Sequence, residues 1–230
     1  MTVHRFFVDR AAVTGDAFPL PSAIEHQVRR VLRLRDGDRI VLLVGDGREL
    51  LCRLEGDTCV VDERRPAAGE PGHRLTVFQA LLKGDGLEQV VRHGTEVGVT
   101  VFAPILTDRC VARDVAPRRL ERLRAVAREA AEQSERGVVP AVNDSVPLDA
   151  VLGPEVTVLA ERGDRPRLAT LEQPPSAVVI GPEGGFTPDE LGRATLAGAT
   201  LVTLGPRILR SESVAAAAAA VILSRTGDFG

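Results

Sequence analysis

Two short apolar runs in the last third of the chain each end in Gly-Pro and each lead straight into a helix. No other feature constrains the fold as much. The first reads Val178-Val179-Ile180-Gly181-Pro182-Glu183-Gly184-Gly185-Phe186-Thr187-Pro188-Asp189-Glu190-Leu191. The second, residues 200–213, reads Thr-Leu-Val-Thr-Leu-Gly-Pro-Arg-Ile-Leu-Arg-Ser-Glu-Ser and runs into an alanine helix. An apolar run, a glycine turn and a helical pattern in that order describe a strand handing a loop to one end of a sheet. In open α/β sheets ligands bind at that end, so two such loops predict one site.

The first loop, Gly181 to Phe186, holds three glycines and a proline, and such backbone can approach a ligand closely. Thr187-Pro188-Asp189-Glu190 behind it is a capping box with proline at the first helical position, which predicts a firm helix start. A tight turn with no ligand is the competing reading of the turn alone. A phosphate cradle is disfavoured, because no lysine follows the glycines and the Glu183 carboxylate would repel phosphate. The second loop puts Arg207, Arg210 and Glu212 within six residues of one another. One such charge is commonly a surface ion pair; three beside a second glycine turn point to a site. The helix that follows, Val214 to Leu223, has alanine at every position from 215 to 220, and is expected to be packed closely on all sides.

Gly-Pro-Glu-Gly-Gly-Phe (181–186) followed by Leu-Gly-Pro-Arg-Ile-Leu-Arg-Ser-Glu (204–212) resembles the paired loops of the bacterial 16S ribosomal RNA (uracil-N3)-methyltransferases of the SPOUT class. The resemblance extends over nearly the whole chain. Gln79 to Glu88 is similar to that family's first strand and the helix after it, Thr95 to Val99 to its Glu-Leu-Gly-Val turn, and Ala130 to Arg136 to its Glu-Gln-Ser-x-Arg segment. Val31-Leu32-Arg33, shortly after His26, resembles a segment of its PUA-like RNA-binding barrel. The loops depart from the commoner Arg-Thr-Glu form in having Ser211, which keeps the hydroxyl, while Arg92-His93 stands where the family often has Gln-Lys.

The rest of the chain divides by pattern. Residues 1–70 read as a small β-rich domain: a helical stretch at 21–31, then strands at 39–44, 49–54 and 58–62 separated by Gly45-Asp46-Gly47 and Gly56-Asp57, which read as hairpin turns. Pro66 to Gly72 has the composition of a linker. Residues 71–230 alternate strand and helix. Strands are expected at 75–82, 101–106, 138–142, 156–160, 177–180 and 201–204, with a helix from Asp85, as its cap, to Val97 and another over 117–133. The latter carries Leu120, Leu123, Ala127 and Ala130 on one face. The expected fold is α/β with a mainly parallel sheet. Ordinary topology would make it a plain doubly wound sheet. The resemblance implies instead a trefoil knot, a PUA-like barrel in front of it and a homodimer.

The formal net charge of −3 argues against indiscriminate nucleic-acid binding. Distribution matters more: residues 26–35 hold four arginines and no acid, and 113–128 six arginines against two acids. These are either solvated faces or a patch for RNA phosphates. Three cysteines without a CxxC pair and four scattered histidines disfavour disulfides and a metal. Met1 to Arg10 shows no secretory leader, and the longest apolar run, 214–223, is too short to span a bilayer, so a cytoplasmic protein is expected.

The resemblance implies S-adenosylmethionine as cofactor and 16S ribosomal RNA within the small subunit as partner, with no membrane and no metal. Leu159, Ala160, Ile180, Gly181, Pro182, Glu183, Gly184, Gly185, Leu204, Gly205, Ile208, Leu209 and Ser211 are then the expected cofactor residues. Arg210, Glu212 and Glu183 are the expected catalytic residues, Arg210 to stabilise negative charge on the base and Glu212, ahead of Glu183, to take the N3 proton. Arg29, Arg30, Arg33, Arg35, Lys83 and Arg136 are the expected RNA contacts. Glu132, Gln133 and Arg136 suit either a substrate contact or an ion pair. A non-catalytic RNA-binding protein on the same fold, and a SPOUT enzyme acting on another RNA, stay open as alternatives.

Overall fold

The structure, a computed structural model, describes residues 3–112, 114–161 and 163–229. Arg113, part of the second basic run, lies outside the described residues. The chain forms two compact units, Met1–Glu70 with Ala131–Val139, and Pro71–Ala130 with Pro140–Gly230.

The first unit contains β1 (His4–Phe7), β2 (Ala17–Pro19), the short helix α1 (Ser22–His26) continued by a π-helical turn (Gln27–Val31), β3 (Arg39–Leu43), β4 (Arg48–Glu55) and β5 (Thr58–Pro66). The strand order is β1-β3-β4-β5-β2, with β1 parallel to β3 and the other neighbours antiparallel. The two expected hairpins join β3 to β4 and β4 to β5. β5 runs four residues past the expected end at 62, so Pro66 belongs to the sheet. The inner strand β3 is apolar at consecutive positions because both its faces are covered. Ile40 and Leu42 pack with Phe6, Phe18, Val28, Leu50, Cys52 and Cys59 on one side; Val41 and Leu43 pack with Phe7 and Ala131 on the other. That second face explains why 131–139 joins this unit, where a contiguous division leaves it with the other. Ala131 and Val139 cover apolar side chains, the Glu132 carboxylate accepts the Phe7 N–H (2.8 Å), and Arg136 pairs with Glu70. The expected strand at 138–142 is accordingly cut short.

The second unit contains β6 (Thr76–Ala80), α2 (Gly86–Val97), β7 (Val101–Leu106), most of α3 (Pro117–Gln133), β8 (Ala141–Val142), β9 (Val146–Pro147), β10 (Thr157–Leu159), β11 (Ala177–Ile180), α4 (Pro188–Leu196), β12 (Thr200–Val202) and α5 (Ser211–Thr226). The strands form one parallel sheet in the order β12-β10-β11-β6-β7-β8, with β9 also pairing β7. The apolar stripe of α3 is buried at Leu120, Leu123, Ala127 and Ala130, as its spacing predicts. Asp85 stands at the cap position of α2 but does not cap it; its carboxylate accepts from the Gln89 side chain (3.1 Å). α5 begins three residues earlier than expected, so Ser211 and Glu212 form its first turn. It is not enclosed on all sides within the chain. Ser211, Ala215, Ala218, Ala219, Ile222 and Leu223 are buried at helical spacing, whereas Val214, Ala217, Ala220 and Val221 are half-buried. No helix among the described residues is long and apolar enough to cross a membrane.

Candidate active site

Three neighbouring parallel strands end at one level. β10 lies between β11 and β12, with Leu159 in register with Ile180 on one side and Val202 on the other. Each strand is too short to carry its chain further, so three connections leave the sheet side by side. The glycine loop follows β11, the Arg207–Arg210 loop follows β12, and Ala160-Glu161 follows β10 between them. Between the loops lies a cavity of about 430 Å³, within the size range of small-ligand sites.

The glycine loop is braced from several directions. A turn closes it, with the Gly185 N–H donating to the Pro182 carbonyl (2.9 Å), and Gly185 adopts φ +66°, a left-handed backbone that glycine enters without a side-chain clash. The Arg109 guanidinium donates to the Gly184 (2.6 Å) and Phe186 (3.3 Å) carbonyls. The capping box is formed: the Thr187 hydroxyl accepts from the Glu190 N–H and the Glu190 carboxylate from the Thr187 N–H. The other oxygen of Glu190, a residue only 1% exposed, accepts the Asp108 N–H (2.8 Å), tying the start of α4 to the end of β7.

Ser211 joins the two loops. Its hydroxyl donates to the Gly181 carbonyl (2.5 Å), and the buried Gln79 amide at the end of β6 donates to the same carbonyl (3.3 Å) and to the Ser211 oxygen (3.2 Å). The first turn of α5 is thereby fixed to the turn after β11, in a place with little water to compete for those groups.

Eleven of the thirteen expected cofactor residues line the cavity: Leu159, Ala160, Ile180, Gly181, Pro182, Gly184, Gly185, Leu204, Ile208, Leu209 and Ser211. Gly205 and the Glu183 side chain are not part of that lining. Gly205, at φ +136°, shapes the turn after β12 without facing the cavity. Glu183 points away from the glycine loop toward the approach to α2, where its carboxylate accepts the Lys83 N–H (2.9 Å). There it lines a second cavity of about 510 Å³ together with Lys83, Asp85, Gln89, Arg210 and Glu212. The three expected catalytic side chains are therefore brought together, in the neighbouring cavity. Glu161, Ile208, Leu209 and Ser211 line both cavities and mark where the two adjoin.

Sequence reasoning missed Glu161, Arg109, Arg165 and Phe186 in this site. The only signal for Glu161 was its place directly after the Leu159-Ala160 strand end. Arg109 carried none, because its target is backbone carbonyls 75 and 77 residues away.

Among the expected RNA contacts, Arg30, Arg33 and Arg35 are exposed on the first unit and Lys83 on the second. Arg33 is held at φ +57°, an uncommon conformation for a residue with a side chain. Arg29 is spent locally, donating to the Leu34 (3.0 Å) and Gly56 carbonyls. Arg136 is corrected outright. It is 2% exposed, and its Nε and Nη2 donate to the two Glu70 carboxylate oxygens (3.3 and 3.2 Å), an internal ion pair of the first unit that no phosphate can reach. No cluster of three metal-ligating side chains occurs among the described residues, and Cys52, Cys59 and Cys110 are free and buried.

The cavity fits S-adenosylmethionine on its own chemistry. Leu159, Ile180, Leu204 and Leu209 offer apolar walls to an adenine ring, the glycine loop offers backbone polar groups at close range, and Glu161, Arg165 and Arg207 place both signs of charge near a zwitterionic tail. Comparison with known proteins agrees. Residues 69–223 match the family model of the RNA methyltransferase domain, and residues 28–61 that of the RNA methyltransferase PUA domain. The chain is 38% identical to ribosomal RNA small subunit methyltransferase E of Synechocystis sp., over 95% of this chain and 77% of that protein. It is 34% identical to the protein of the same name from Mycobacterium tuberculosis, over 95% and 90%. The crystal structure of a ribosomal RNA small subunit methyltransferase E from Neisseria gonorrhoeae bound to S-adenosyl methionine superposes with a TM-score of 0.85 at 30% identity, covering 97% of this chain and 98% of that one. A parallel sheet that ends in two clamped loops, preceded by a PUA-like unit and matched along nearly its full length by these proteins, places the chain in the SPOUT-class RNA methyltransferase family of ribosomal RNA small subunit methyltransferase E.

Proposed function

We propose that this protein methylates N3 of a uridine in 16S ribosomal RNA with S-adenosylmethionine as donor. The observation that carries the reading is the pair of adjoining cavities, one shaped for a nucleoside cofactor and the other lined by Arg210, Glu212 and Glu183. S-Adenosylmethionine, when bound, supplies a methyl group already activated on a positively charged sulfur.

The chain's residues have the remaining work. Leu159, Ile180 and Leu209 would hold the adenine, and the backbone of residues 181–185 and of Leu204 would offer it hydrogen bonds. The Ser211 hydroxyl holds the two loops at a fixed separation, which sets the distance from donor to acceptor. Uracil N3 carries a proton that must leave before the nitrogen can attack, and Glu212 accepts it while Arg210 orients the RNA strand and offsets the charge of the carboxylates around it. Arg30, Arg33 and Arg35 of the first unit contact phosphates and give the binding its salt dependence.

The same reading covers the rest of the molecule. The half-buried face of α5, with Val214, Ala217, Ala220 and Val221, packs against a second copy in a homodimer. The C-terminal segment is threaded as a trefoil knot, the substrate is the RNA within the small subunit, and the protein works in the cytoplasm.

Calorimetric titration with S-adenosylmethionine, sedimentation of the same preparation, and a methylation assay on small-subunit RNA test these points together. Micromolar binding at about one per chain, a dimer mass and 3-methyluridine in the product are expected. Arg210→Ala and Glu212→Ala should keep cofactor affinity within about threefold and lower turnover by about a hundredfold or more. A folded protein with no cofactor affinity would refute the assignment.

A further inference from the structure

Lysine and arginine together number 29 in the chain, and only one of them, Lys83, is a lysine. It lies in the second cavity, where carboxylates outnumber cations: Asp85, Glu161, Glu183 and Glu212 against Lys83 and Arg210. Every ion pair between described side chains uses an arginine as its cation, whereas the Lys83 ammonium has no partner among the described residues even with these acids in the same cavity. An arginine here would have the planar fork that grips a carboxylate at two points and would close the cavity on one of the four acids. An ammonium is a compact point charge that leaves the space open.

The backbone under Lys83 is well fixed. Its N–H donates to Glu183 (2.9 Å), its carbonyl accepts from the Gly86 N–H (3.2 Å), and the Arg119 guanidinium donates to the Gly84 carbonyl (2.7 Å). A cation is thus presented to the acceptor side of the site from a braced turn, independent of the loop that carries Arg210.

We infer that Lys83 is the catalytic cation for the acceptor base, its ammonium donating to the uracil oxygen that takes up negative charge when N3 is deprotonated. The inference rests on the uridine-methylation reading above. In the step, N3 loses its proton to a carboxylate of the cavity and its lone pair forms the bond to the methyl carbon as the bond from that carbon to sulfur breaks. The positive charge of the sulfur is lost with the methyl group, and Lys83 keeps its protons throughout. A neutral uracil would need no such cation; an anionic one, facing four acids, does.

The test is the pH dependence of single-turnover methylation of small-subunit RNA by wild type, Lys83→Ala and Lys83→Arg, with S-adenosylmethionine affinity measured alongside. Removing a cation that favours the anion makes the bound base a weaker acid and raises the pH at which N3 loses its proton. Lys83→Ala should therefore move the alkaline rise of the rate upward by about one pH unit or more and lower the neutral-pH rate by about tenfold or more, with cofactor affinity unchanged. Lys83→Arg should restore part of the shift. Because Lys83 is the only lysine, an amine-acylating reagent has one side-chain target, and small-subunit RNA together with S-adenosylhomocysteine should slow its modification, read by peptide mass. An unmoved pH profile in Lys83→Ala overturns the inference even if the rate falls, as does loss of cofactor binding in that variant or unchanged labelling. A wild type that forms no 3-methyluridine overturns the functional reading itself, and the inference with it.

Discussion

Gly184 and Gly185 are adjacent and identical as letters, yet the structure asks different things of them. Gly184 is exposed, and a side-chain carbon there would lie 3.3 Å from Cδ of Arg109, a flexible arm that can give way. Gly185 is buried at φ +66°, and a carbon there would sit 3.5 Å from a Glu161 carboxylate oxygen. Gly185→Ala should pay the left-handed penalty of about 1–2 kcal/mol and bind S-adenosylmethionine about tenfold more weakly. Gly184→Ala should stay within about threefold, and equal losses by calorimetry would contradict this difference. The run of glycines was legible as a tight loop after a strand; which glycine takes a positive φ was not, because φ depends on the whole turn. Arg136 teaches the same point from the other side. It reads as a surface cation beside Glu132 and Gln133, and its burial depends on Glu70, which is 66 residues away.

Elements whose causes are local were the most legible. Thr187-Pro188-Asp189-Glu190 contains its own hydrogen-bond donors and acceptors, so the start of α4 follows from four residues. Even here the fold adds a role, because Glu190 also holds the Asp108 N–H. Thr187→Ala should lower stability by about 1 kcal/mol, as the loss of a helix cap does. Glu190→Ala strands two backbone N–H groups and should cost about 2–4 kcal/mol; equal midpoint shifts in denaturant would show that the Asp108 contact contributes nothing. β1, β2 and β9 escaped the sequence reading because strands of two to four residues carry too little periodicity. α5 was legible as a helix whose small side chains permit close packing, but the buried side of six consecutive alanines cannot be read from a pattern that is the same all round.

On the scale of the whole molecule, the absence of tyrosine and the single lysine leave few groups that titrate between pH 9 and 12. Burial pushes the Cys52 thiol from 9.0 up to about 12, with the neighbouring Cys59 adding to the effect, and burial likewise raises Cys59 to about 11. In the unfolded chain both ionise near 9, so the unfolded state releases its protons first as pH rises. Their contribution to stability is fully present below pH 9 and is lost as pH climbs toward 11–12. The denaturation midpoint of the wild type should fall over that window, and a Cys52→Ala/Cys59→Ala variant should show a shallower fall; the same slope in both would refute the link to the thiols. The sequence by itself determined the alternation of strand and helix, the paired loops, the family and the hydroxyl at 211, since each is written in neighbouring residues. Only the tertiary structure decided that 131–139 completes the first unit, that Glu183 faces the second cavity, and that Glu161 and Lys83 line that cavity with it. Those placements depend on which strand ends at which level in the sheet, and strand order is set by packing between residues far apart in the chain, which no local pattern records.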